Sequence, residues 1–304
     1  MSNTLLTTLS RERLREGYDS GFWREETIYA LAAARAARNP GAPALREAGR
    51  RVAIGELVAA ADRLSAELRA AGLRRGQRVA AWLPSRAEVA VALLACSRDG
   101  LVLCPSLHRD HTVAEVAGLL TRMGAAALIA QPGYGADADR HDIFAQASAI
   151  PSLRLVCRLE KAMEGATLWP GSGATPALPV ADPDSVVYLA FTSGTMGAPK
   201  GVMHSDNTLL GNARAIVADW HLGEEDVITT LSPLSHNLGF GSLVIALLSG
   251  AELVVHDLPR GRSLLDRLVE TNTSYLVGVP THAIDLLEEM RRRGVRKQIG
   301  RAHV

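Results

Sequence analysis

RVAAWLPSRAEVAVALLACSRDGLVLC, residues 78–104, decides the fold. Arg78 to Leu83 is an apolar run of strand length, closed by Pro84. Ser85 and Glu88 have the spacing of a capping box, in which a hydroxyl and a carboxylate satisfy free N–H groups at a helix start. The alanine- and leucine-rich run behind them predicts a helix to Asp99, stopped by Gly100. Leu101 to Cys104 predicts the next strand. Strand, helix and strand in that order form the unit from which a mostly parallel sheet is built.

The pattern continues on both sides. Upstream, Glu56 to Ala71 places Leu57, Val58, Ala61, Leu64 and Leu68 on one helical stripe before Gly72. Downstream, Thr112 and Glu115 repeat the capping-box spacing at a helix ending near Gly124, and strands are predicted at Ala126–Ala130 and Leu153–Leu159. Between Lys161 and Asp184 the chain is rich in Gly, Pro and Ala without periodicity, as a connector would be. Strands are then predicted near Val186–Phe191, Val227–Leu231, Ala251–Val255 and Ser274–Val279. Helices are predicted near Ser205–Trp220, Gly239–Leu248, Leu264–Glu270 and His282–Arg293. The expected fold is a layered α/β protein. Its subdomains are expected to be residues 1–175 and 176–298, the second incomplete, followed by a tail at 299–304.

Composition narrows the partners. With 33 Lys plus Arg against 32 Asp plus Glu, the 304-residue chain has a formal charge of +1, and no charged field argues for nucleic acid. The most apolar window, Leu238 to Ala251, is too short to span a bilayer, so no membrane span is expected. The N-terminal residues lack the basic start and apolar stretch of an export signal. Cys96, Cys104 and Cys157 make an odd count without metal-ligand spacing, and are read as reduced core residues of a cytoplasmic protein. No metal site of the chain's own is predicted, and a small-molecule partner is expected.

The chemistry concentrates in Tyr188-Leu-Ala-Phe-Thr-Ser-Gly-Thr-Met-Gly-Ala-Pro-Lys-Gly-Val-Met-His204. An apolar strand runs into small and hydroxylated residues, where backbone N–H groups approach an anion and Thr192, Ser193 and Thr195 add donors. Gly194 and Gly197 keep the loop open. Lys200 is one of only three lysines, with Lys161 and Lys297, and supplies a compact charge suited to phosphate oxygens. On composition alone, a solvated Gly- and Ser-rich turn fits equally well. The Walker pattern does not, because Lys200 is followed by Gly201.

Ten consecutive residues, Thr192 to Gly201, resemble the signature loop of the adenylate-forming superfamily, which includes acyl- and aryl-CoA ligases and peptide-synthetase adenylation domains. Met196 departs from the pattern, where a Thr or Ser is usual, while Thr195 matches. Glu56 to Gly72 and the strand–helix unit at 78–100 are similar to the family's opening subdomain. Ser232-Pro-Leu-Ser-His-Asn-Leu-Gly239 resembles the motif lining its carboxylate pocket. The resemblance implies that Thr192, Ser193, Gly194, Thr195, Met196, Gly197 and Lys200 bind ATP phosphates. It places His236, Asn237 and Gly278 around the acyl substrate. For His236 a structural role stays open, and for Gly278-Val-Pro280 an ordinary turn does. His204, His221, His256 and His282 are read as structural or solvated.

The activity implied is ATP-dependent conversion of a carboxylic acid to an acyl-adenylate, with Mg2+ on the phosphates and CoA as thiol co-substrate, in fatty or aromatic acid metabolism. Loading of a carrier protein, and non-catalytic binding of ATP or an acyl group, remain alternatives. The family's Tyr-Gly-x-Thr-Glu-like loop, its ribose-binding Asp and its C-terminal catalytic Lys have no counterpart in these residues, so an inactive fragment is expected. Ile299 to Val304 read as the translation of a common sequencing adapter and are expected to be a non-native tail.

Overall fold

The computed structural model describes residues 9–47, 49–162, 166–170, 178–180, 182–192, 200–255, 261–295 and 301–303. Helices α1 (Arg11–Asp19) and α2 (Ile28–Arg38) lead into strands β1 (Pro43–Glu47) and β2 (Arg50–Ala53) and helix α3 (Ile54–Ala70). The quoted unit follows as β3 (Arg78–Trp82), α4 (Ala87–Asp99) and β4 (Val102–Cys104). Next come α5 (Val113–Met123), β5 (Ala125–Ala130), α6 (Ile143–Ala147) and β6 (Leu155–Arg158). Beyond the connector lie β7 (Val186–Thr192), β8 (Lys200–Ser205), α7 (Asp206–Trp220), β9 (Val227–Thr230) and α8 (Asn237–Ser249). The series closes with β10 (Glu252–Val255), α9 (Leu264–Glu270), β11 (Tyr275–Val277), α10 (Pro280–Arg292) and β12 (Arg301–His303).

The strands form two six-stranded sheets, ordered β6-β5-β3-β4-β7-β8 and β12-β11-β9-β10-β1-β2. Neighbours run parallel except in the hairpin pairs β7–β8 and β1–β2, each at one edge of its sheet. The α/β class with mostly parallel sheets is therefore observed. Sheet membership crosses residue 175, where the sequence places a boundary between subdomains. Strand β1 pairs with β10 (Leu45 opposite Leu253), and β7 pairs with β4 (Leu103 opposite Tyr188), so each half of the chain lends two strands to the other half's sheet. An edge of buried backbone groups must find partners wherever they lie in sequence. Arg301–His303, read from sequence as a foreign tail, lies parallel to Tyr275–Val277 as an edge strand.

Helix α4 lies between the sheets, packing on β3, β4 and β7 on one side and on β1 on the other. All thirteen of its residues are buried, which explains its apolar character all round. A charge in such a helix needs a partner. The box expected from Ser85 and Glu88 is accordingly absent. Arg86 is the N-cap and makes no side-chain cap bond. The Glu88 carboxylate instead takes Arg86 at 2.6 and 2.8 Å and Arg50 at 3.0 Å. Burial opposes ionisation there, but Arg86 and then Arg50 hold the Glu88 carboxyl below its ordinary range. The Ser85 hydroxyl accepts the Leu234 N–H at 3.0 Å, a bond between the two halves of the chain.

Other local signals are realised where solvent allows them. Thr112 and Glu115 form the reciprocal box, with bonds of 3.2 and 2.8 Å, and Gly100 ends α4 with a left-handed φ of 65°. Cys96, Cys104 and Cys157 are free thiols, the first two buried. Burial raises all three, Cys157 to about 12. No described helix is long and apolar enough to cross a membrane.

Candidate active site

In a parallel sheet, ligands meet the loops at the carboxyl ends of the strands. Here those ends are joined across the molecule. The loop after β4 turns back so that the Ser106 hydroxyl accepts the Phe191 N–H at 2.7 Å, tying it to the end of β7. Thr192 and Lys200 face each other as the last pair of the β7–β8 hairpin, both exposed at its mouth. Among the described residues, the Thr192 hydroxyl makes a long 3.5 Å contact to the Lys200 carbonyl. Ser193, Gly194, Thr195, Met196 and Gly197 lie outside the described residues. Strand β8 was not expected from the sequence, because Lys200–Ser205 has no apolar run of its own and gains its ladder bonds from β7.

The second group of predicted residues sits on the turn into α8. His236 is the N-cap, without a side-chain cap bond, and both His236 and Asn237 are exposed. The turn depends on Gly239: a Cβ there would lie 2.3 Å from the Pro233 carbonyl oxygen and 2.4 Å from that of Ser232. Asn237 is held from below. Tyr188 on β7 donates its hydroxyl to Asn237 Oδ1 at 2.7 Å, and its buried ring stacks on Phe240 with centroids 4.1 Å apart. Burial raises the Tyr188 hydroxyl, keeping it a donor. With Oδ1 accepting from Tyr188, the donors of the exposed Asn237 side chain are its two amide N–H groups.

The His236 ring lies on that of His108, with centroids 4.0 Å apart and planes 10° from parallel. His108 Nδ1 is 3.1 Å from the Ser235 hydroxyl, and the His111 ring lies 5.2 Å away. Burial, reinforced by His236 and His111 against the opposing pull of Asp110, lowers His108 to about 4. His108, Tyr134, Ser235 and His236 border a cleft of about 510 Å³. Gly278 is buried at the end of β11, where a Cβ would sit 3.2 Å from His282 Nδ1 and 3.5 Å from Leu231. Its neighbours are thus the root of the β9 loop and His282, whose Nδ1 accepts the Val279 N–H at 3.3 Å.

Two other histidines take up local positions. His204 lies beside Tyr188, with centroids 5.9 Å apart, and burial lowers its pKa. His221 ends α7 with a left-handed φ of 53°, and His256 lies outside the described residues. Among the described residues, no three His, Cys, Asp or Glu side chains gather as a metal site. His108 and Tyr188 were missed from sequence. Their place beside His236 and Asn237 comes from contacts across 128 and 49 positions (108 to 236, 188 to 237), which no local pattern announces.

Comparison with known proteins places the chain among relatives of one family. Residues 32–302 match the family described as AMP-binding enzyme. A feruloyl-CoA synthase of an Amycolatopsis species is 29% identical over 248 residues, covering 81% of this chain and 47% of that protein. A medium-chain fatty-acid–CoA ligase of Escherichia coli is 27% identical over 303 residues, covering 96% of this chain and 53% of that protein. The chain thus spans about half the length of these curated relatives. The apo structure of MbtA from Mycobacterium smegmatis superposes with a TM-score of 0.78 at 25% identity, covering 93% of this chain and 54% of that one. With the match running over residues 32–302, the chain belongs to the family of AMP-binding enzymes.

Proposed function

We propose that the protein to which this chain contributes activates a carboxylic acid with ATP and passes the acyl group to CoA. A carboxylate is a poor acyl donor, since its leaving group would be oxide. In the first step a carboxylate oxygen bonds to the α-phosphorus, the bond to pyrophosphate breaks, and an acyl-adenylate forms. In the second the thiol of CoA loses its proton, its sulfur bonds to the acyl carbon, and AMP leaves. Both steps are served chiefly by positioning and by stabilising growing negative charge.

The observation that carries this reading is the Asn237 amide, held by the Tyr188 hydroxyl at 2.7 Å beside the exposed His236 ring. In this reading Asn237 donates to a substrate carboxylate oxygen while His236 flanks the acyl body. Thr192 and Lys200 act from the hairpin mouth, with Lys200 on the β- and γ-phosphates and on the departing pyrophosphate. Ser193 to Gly197 are assigned to the same phosphates by the family resemblance. The exposed Thr192 hydroxyl at the hairpin mouth suits a phosphate-bound magnesium ion, which would offset the charge of the leaving pyrophosphate. The acids named for the two relatives, feruloyl and medium-chain acyl, support an aryl or medium-chain substrate.

The test is ATP–pyrophosphate exchange by the full-length protein against a panel of such acids, with and without Lys200→Ala. Acid-dependent exchange that slows in the variant is expected. An unchanged exchange rate would reject the role of Lys200, and absence of exchange with every acid would reject the activity. Adding CoA or a pantetheine-bearing carrier protein to the same reaction identifies the acceptor.

A further inference from the structure

His236 sits on an exposed turn, and its side chain makes no cap bond to its own helix. An exposed imidazole in that position has several rotamers open to it, and a substrate that needs one of them must order the ring on binding. What limits that freedom comes from the other sheet. His108, in the loop after β4, lays its ring on His236 at 4.0 Å and 10° and places Nδ1 3.1 Å from the hydroxyl of Ser235, the residue before it. It therefore holds both the ring and the backbone that carries the ring.

His108 is itself held at both backbone groups. Its N–H is accepted by His111 Nδ1 at 3.1 Å, and its carbonyl accepts the indole N–H of Trp82 at 3.0 Å. Trp82 is fully buried in β3, so the chain of support ends in the core. The groups facing His108 are His236, His111 and Asp110, and their balance with burial leaves it uncharged at neutral pH. Two stacked imidazoles are attractive only when they are not both cations, and this condition is met.

We propose that His108 is a positioning residue for acid binding, holding the His236 ring and its turn in the orientation that a bound acid meets. The inference rests on the reading of His236 as part of the acyl pocket. It assigns to the β4 loop of one sheet a part in substrate choice made by the β9 loop of the other. Loss of the stacked ring removes an aromatic contact whose usual strength corresponds to roughly a two- to tenfold change in binding.

The experiment is steady-state ATP–pyrophosphate exchange by the full-length protein, comparing His236→Ala, His108→Ala, His108→Gln, His108→Phe and the double variant His108→Ala/His236→Ala. The glutamine variant keeps a polar group near Ser235 without a ring, and serves if the alanine variant folds poorly. His108→Ala and His108→Gln are expected to raise the KM for the acid about two- to tenfold, with the KM for ATP unchanged. His108→Phe, which keeps a flat ring, should recover most of the loss, and His108→Ala should add nothing in the His236→Ala background. If His236→Ala raises the acid KM while the His108 variants do not, the pocket reading stands and the positioning role falls. If His236→Ala leaves the acid KM unchanged, both fall together. Equal rises for acid and ATP would mark general damage and overturn the proposal.

Discussion

Replacing Asp206 by asparagine is expected to abolish a loss of stability that the protein otherwise suffers between about pH 5 and pH 8. Asp206 is buried at the first position of α7, and its Oδ1 accepts the Ile28 N–H and the Ser97 hydroxyl, each at 2.9 Å. Both donors are neutral. Burial therefore dominates and raises the carboxyl from 3.8 to about 7, with the two hydrogen bonds only partly offsetting it. Because the folded-state pKa is the higher one, the native state holds its proton where the unfolded chain has lost it. The resulting stabilisation is complete below 3.8 and is lost as pH rises through about 7. From about pH 5 to that pKa is about two units, which at 1.36 kcal/mol per unit is about 2.7 kcal/mol. Asparagine keeps an acceptor oxygen and does not titrate. Urea unfolding of both proteins at several pH values across this range should show the wild type losing about 2–3 kcal/mol relative to the variant as pH rises. A stability difference that stays constant with pH, or moves the other way, would refute the reasoning.

Three further outcomes are expected. Glu88→Gln removes the charge shared by Arg86 and Arg50 and should destabilise by about 3–5 kcal/mol, whereas Arg51→Ala, truncating a half-exposed partner of Glu252, should cost about 1 kcal/mol or less. Equal losses in chemical denaturation would contradict this. Gly239→Ala drives a Cβ against the Ser232 and Pro233 carbonyls and should both destabilise by about 1–3 kcal/mol and raise the acid KM, since the displaced turn carries His236. An unaltered KM would show that the turn is not part of the pocket. Tyr188→Phe removes the bond that orients Asn237, so the acid KM should rise about fivefold, equivalent to about 1 kcal/mol, with ATP binding unaffected. A normal acid KM in that variant would remove Asn237 from the site.

The residues at 78–104 show how far local reading reaches. The length of their apolar runs and the stop at Gly100 are set by backbone and solvent, so β3, α4 and β4 fall where the pattern puts them. The Thr112–Glu115 box is likewise satisfied within its own turn. Ser85 and Glu88 carry the same spacing, yet they bond to Leu234, Arg86 and Arg50, because a carboxylate enclosed between two sheets gains more from guanidinium groups than from its own helix end. Local preference prevailed where water competed and gave way where it was excluded.

The sequence by itself determined the α/β alternation, and it carries the resemblance of Thr192–Gly201 and Ser232–Gly239 to motifs of the family whose model matches residues 32–302. These are properties of contiguous residues, written by periodicity and by spacing along one loop. Only the tertiary structure decided that β1 and β2 complete the sheet of the second half while β7 and β8 complete that of the first. It alone set Tyr188 under Asn237 and His108 against His236. The reason is physical: open strand edges, a free amide oxygen and an exposed imidazole are each satisfied by whatever the closed sheets bring near, and that neighbour lies far away along the chain.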